Sequence, residues 1–122
     1  MKTSIDKPIR HIVEEVNKSR YIKTVFSCGG HLKKKVGGQV YMQFEMEKKY
    51  VGKFLAIAFD KITLEMLESG LQLNLSRVCM NGWPLGKSER LGISFGDNEH
   101  IFQVKLARDY FHRLSLEVAA RL

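Results

Sequence analysis

The stretch Thr24 to Gly38, TVFSCGGHLKKKVGG, sets a cysteine and a histidine at C-x-x-H spacing between two glycine pairs and beside three consecutive lysines. Three chemistries use such a set. Cys28 and His31 can chelate zinc from a tight turn, with Cys79 and one of His11, His100 or His112 completing a tetrahedron. A structural zinc site ordinarily brings a second tight ligand pair, which RVCMNGW around Cys79 does not supply, so no metal is expected. Cys28 as a nucleophile would gain from glycine N–H groups, His31 and Lys33, all of which lower a thiol pKa. No third group orients a Cys–His pair, and the plainer expectation is a small residue at a strand end. Anion binding uses the stretch most fully. Ser27 and Cys28 open the turn, Gly29 and Gly30 permit close backbone approach, Gly37 and Gly38 let the far side fold over, and Lys33, Lys34 and Lys35 offer charge to phosphate. Neither G-x-x-x-x-G-K nor G-x-G-x-x-G occurs, so the pattern suits phosphate without being a nucleotide fingerprint.

Trp83 in NGWPLGKSER is flanked by Lys87 and Arg90, a pairing that can stack on a base and neutralise its phosphate; the alternative is a core tryptophan. Glu14/Glu15, Glu65/Glu68, Asp97 and Glu99 read as helix faces and turn residues with no acid–base role. The net charge of +7, from 20 Lys and Arg against 13 Asp and Glu, points toward RNA or a nucleotide as a partner without selecting one. With 122 residues and 44% hydrophobic content, the expectation is a single domain over 1–122. No apolar run nears the roughly 20 residues that span a bilayer, and MKTSIDKPIRHIVEEV lacks a signal-peptide block. A cytoplasmic protein with both cysteines reduced is expected.

These candidates need elements to hold them. Ile9, Ile12, Val13 and Val16 recur at helical spacing, with Asp6 able to cap and Pro8 in the first turn. RYIKTVF alternates like a strand ending at Ser27, which makes Cys28 the opening of a loop, and QVYMQFEME reads as the next strand. KFLAIAF suits a helix or a buried strand; a helix is favoured, at least from Asp60 to Ser69, with Gly70 ending it. LQLNLSRVCM alternates as a half-buried strand, RLGISFGDNEHIFQVKL suggests a hairpin around Gly96 to Asn98, and Ala107, Phe111, Leu114, Val118 and Leu122 share one face of a closing helix. The sum is an α+β fold, a mainly antiparallel sheet of about five strands with two or three helices packed on it.

This order of elements, with NKSRYIKTVFSCGGH, resembles the wybutosine-pathway tRNA methyltransferase family, which has an N-terminal helix, a strand and an SSCSGR-like turn. The matching residues are Asn17, Arg20, Thr24, Ser27, Cys28 and Gly30, with His31 standing where that family has arginine. The final hairpin and helix are also similar to that family's C-terminal end, although this chain is much shorter. An SCGGH-type turn is similar as well to that of small bacterial and phage proteins. The resemblance implies S-adenosylmethionine as cofactor, a tRNA base as substrate and a site at Ser27 to His31, with His31 as a general base near its ordinary pKa of about 6.5. The alternative is a non-catalytic module that uses the same loop, lysines and Trp83 for a nucleotide or nucleic acid.

Overall fold

The segment GGQVYMQFEME alternates apolar and polar residues with a period of two. In the computed structural model of the protein, which describes residues 9–31, 37–78, 88–96 and 100–122, it forms the central strand β2 (Gly37–Glu47). β1 (Ile22–His31) pairs with one side of β2 and β4 (Ser88–Gly96) with the other, and β3 (Gln72–Val78) lies beyond β4. The order is β1-β2-β4-β3 and every pairing is antiparallel.

Alternation puts Val40, Met42, Phe44 and Met46 on one face, with Leu91, Ile93 and Phe95 opposite them on β4, and all are buried. The helices cover this face. α1 (Arg10–Val16) brings Ile12, Val13 and Val16; α2 (Val51–Asp60), entered through a 3-10 turn at Lys48–Tyr50, brings Phe54, Ile57 and Ala58; α3 (Leu64–Glu68) brings Met66. α4 (Ile101–Arg121) contributes Val104, Ala107, Tyr110, Phe111, Leu114 and Val118, a stripe at helical spacing. Rings meet across the layers, Phe44 with Phe54 at 5.1 Å and Phe95 edge-on to Tyr110 and Phe111 at 5.2 and 5.6 Å. No helix among the described residues is long and apolar enough to cross a membrane.

α4 also completes its neighbours' ends. A helix leaves its last carbonyls without partners of its own. At the end of α2, Lys61 N–H reaches the Ile57 carbonyl and Ile62 N–H that of Phe59, while the Ala58 carbonyl accepts the Tyr110 hydroxyl at 2.8 Å. The Lys61 carbonyl accepts Arg113 Nη1 at 2.7 Å. Gln103 Nε2 donates to the Ser69 carbonyl just past α3, and its Oε1 accepts the His100 N–H, half of the capping box that starts α4.

The structure differs from the sequence reading in four places. The described residues hold four strands and four helices rather than about five and two or three. The second arm of the expected hairpin is the first turn of α4: Phe102, Val104 and Leu106 alternate like a strand, but Val104 also starts the buried stripe, and the His100–Gln103 box begins the helix there, leaving Ile101 and Phe102 exposed. KFLAIAF is helical, yet the helix does not run on from Asp60 to Ser69. It stops at Lys61, and Thr63 starts α3 by accepting the Met66 N–H at 3.2 Å, with Gly70 at φ 79° after it. Finally β1 does not end at Ser27, since Cys28 pairs with Tyr41, Gly29 with Val40 and His31 with Gly37. Asp6 and Pro8 lie outside the described residues, and Ile9 stands at the start of α1 with no side-chain cap.

Burial pushes the Tyr110 hydroxyl well above the ordinary tyrosine range, partly opposed by Arg113. Tyr110→Phe is expected to lower stability by about 1 to 3 kcal/mol in denaturant unfolding, because the Ala58 carbonyl loses its donor. The raised pKa makes the folded state hold a proton that the unfolded state releases. The contribution is therefore complete below pH about 10 and is lost as pH rises above it, and the variant removes this part of the decline.

Candidate ligand-binding face

The sheet face away from the helices is built from cross-strand rows. The first is Lys23 on β1, Glu45 on β2, Arg90 on β4 and Val78 on β3. The second is Phe26, Gln43, Gly92 and Ser76, and the third is Cys28, Tyr41, Ser94 and Asn74. At the far end Gln39 lies against Gly96, where an added Cβ would stand 3.3 Å from the Gln39 amide nitrogen.

The second row has no side chain at Gly92, and the face dips there. The resulting concavity of about 390 Å³ is lined by Phe26, Gln39, Tyr41, Gln43, Ser76 and Ser94 together with Gly92 and its neighbours. Phe26, at 43% exposed, presents its ring to the depression. The lining offers two rings, two amides and three hydroxyls, but no charge.

Charge lies on the side of the first row, which Glu47, paired opposite Ser88, continues away from the concavity. Arg90 Nη2 donates to Glu45 Oε2 at 3.1 Å, and Lys23 Nζ lies 3.9 Å from Glu45 Oε1. The Arg90 side chain is only 8% exposed, and its Nε has no acceptor among the described residues. Two cations thus share one carboxylate in the row next to an uncharged depression.

The expected site residues divide between the two faces. Cys28, half-buried, lies on the open face beside Tyr41, whereas Ser27 alternates toward the helices in the row of Met42. Gly29 also faces the helices. Its carbonyl accepts Arg108 Nε at 2.5 Å, and a Cβ there would come within 3.1 Å of Ile9 Cγ2. Close approach is what this glycine provides, toward α1 and α4. Gly30 and His31 continue the backbone of β1, while Lys33, Lys34, Lys35, Cys79 and Trp83 lie outside the described residues. No group of three or more His, Cys, Asp or Glu among the described residues is placed to hold a metal. Phe26, Tyr41, Gln43 and Gly92 were not singled out in the sequence. Their signal was the polar half of the β2 alternation and a glycine inside a strand.

Gly29→Ala is expected to destabilise the protein by roughly 1 to 3 kcal/mol, through overpacking against the fully buried Ile9. Thermal unfolding of the variant checks this; unchanged stability would show that Ile9 and Arg108 give way. Comparison of the chain with protein-family models, with curated proteins and with solved structures finds no match.

Proposed function

We propose that the open face of the sheet binds nucleotides or single-stranded RNA, with a base in the concavity over Gly92 and phosphate along the Lys23–Arg90 row. The observation that carries this reading is the segregation of chemistry on the face: rings and neutral hydrogen-bonding groups occupy one area and cations the next row. A nucleotide has the same division. Its base is planar and uncharged and stacks on aromatic rings, while amides and hydroxyls pair with its edge and cations meet its phosphate. The net charge of +7 favours such a partner, and Lys33, Lys34 and Lys35, which lie between β1 and β2 in the sequence, add positive charge in this reading. In the enzymatic form, the face holds S-adenosylmethionine and a tRNA base, His31 acts as general base, and catalysis is mostly positioning. What favours this form is that Cys28, in the segment that resembles the methyltransferase family's SSCSGR-like motif, stands beside Tyr41 on the open face.

The test is fluorescence anisotropy of a labelled single-stranded RNA across a salt series. Tyr41→Ala and Phe26→Ala are each expected to weaken binding by about 1 to 3 kcal/mol with the salt slope unchanged. Replacing Lys33, Lys34 and Lys35 together by Ala is expected to reduce the slope by about 2 to 3 and to leave the fold intact. Absence of salt-dependent binding by the wild type would refute the reading. Thermal stabilisation by S-adenosylmethionine selects the enzymatic form, and its absence selects the binding module.

A further inference from the structure

The two edges of the sheet are treated differently. An edge strand presents unpaired N–H and C=O groups, and proteins blunt such edges with bulges, charges or covering side chains. β1 is blunted in two ways. Its register with β2 is broken between Thr24 and Phe26 and again between Gly29 and His31, and Asn17 reaches it from the end of α1, accepting the Thr24 N–H at 2.9 Å. β3 has neither device. It pairs residue for residue with β4 from Gln72 to Val78, contains no proline, glycine or lysine, and has nothing paired to its outer side among the described residues. Leu75 on β3 is 39% exposed, and Leu64 and Leu67 on the preceding α3 are 69% and 65% exposed.

We infer that β3 pairs antiparallel with β3 of a second copy of this chain, joining the two sheets edge to edge about a twofold axis through Leu75. Leu75 is the middle residue of Gln72–Val78, so this register uses the whole strand. It sets Leu75 against Leu75 of the other copy, Leu73 against Arg77, Asn74 against Ser76 and Gln72 against Val78. No like charges face each other in any pair.

The ends of the strand are complementary as well. At the Gln72 end, α3 carries Glu65 and Glu68 and no basic residue. At the Val78 end, Arg77 and Lys48 share the single buried carboxylate of Glu89, at 2.9 and 3.9 Å, leaving one net positive charge. An antiparallel twofold brings the acidic end of each copy beside the basic end of the other, whereas a parallel arrangement would join like to like. Directly opposed residues in an antiparallel ladder share a face, so both open faces end on the same side and form one longer platform.

Sedimentation velocity of the full chain over a dilution series tests this. The wild type is expected to sediment as a dimer that dissociates on dilution. Leu75→Lys puts two like charges at the twofold, and Glu65→Lys/Glu68→Lys sets cations against Arg77 and Lys48; each is expected to raise the dissociation constant by about tenfold or more. The second variant lies on exposed positions of α3, so it decides the matter if Leu75→Lys fails to fold by circular dichroism. A wild type that is monomeric throughout overturns the inference and leaves the edge to an extended segment of another protein. Variants that dimerise as tightly as the wild type also overturn it.

Discussion

One-sided burial of β2 is the constraint from which the rest of the molecule follows. Val40, Met42, Phe44 and Met46 are each 2% exposed or less, and a slip of one residue would send all four to the open face and bury Tyr41, Gln43 and Glu45 instead. That exchange removes several buried side chains from the core, each worth roughly 1.5 to 3 kcal/mol, so the register of β2 against β1 and β4 is not negotiable. With the register settled, every helix has to lie on the same side. β2 passes through α2 and α3 to reach β3 at the far edge, and β4 returns between β3 and β2. α4 then closes the layer and supplies side-chain partners for the ends of α2 and α3.

The same constraint leaves a face that no helix among the described residues covers, and the residues found there are not those of a merely solvated sheet. Lysine and glutamate would serve solubility along the whole face. Here charge stops after the Lys23–Glu45–Arg90 row, and Phe26, Tyr41, Gln43 and Ser94 surround a glycine. A concavity whose lining carries no charge, one row from the exposed Lys23 ammonium, is suited to a ligand whose own charge is carried at one end. The glycine pair that drew attention in the sequence divides accordingly: Gly29 lets Ile9 and Arg108 approach β1, while Cys28 stands at the border of the open face.

Much of this was legible in the residues. The alternation of QVYMQFEME and LQLNLSRV, the stripe from Ala107 to Val118 and the role of Gly70 all follow from period and backbone preference, and each is found. The misreadings have two physical origins: partners distant in sequence hold Cys28 and Gly29 extended, and local caps at Thr63 and at His100–Gln103 decide where α3 and α4 begin. Cys28 and Gly29 look like a turn because glycine is permissive, but a ladder with Tyr41 and Val40, and an arginine 79 positions away from Gly29, hold them extended. HIFQVKL alternates like a strand over a few residues, and only its continuation into Ala107, Phe111 and Leu114 shows the helical face. The open face was the least legible part, because Phe26, Gln43, Gly92 and Ser76 come from four strands and become neighbours only when the register is known.

The central claim, that the helix-free face is the binding surface, is tested most directly by amide chemical-shift mapping of the isotopically labelled protein during titration with a short single-stranded RNA. The account predicts shifts that cluster on Lys23, Phe26, Tyr41, Gln43, Gly92 and Ser94, with α1, α2 and the buried face of α4 unmoved. Shifts confined to the helical layer, or none at concentrations where RNA is in excess, would contradict it.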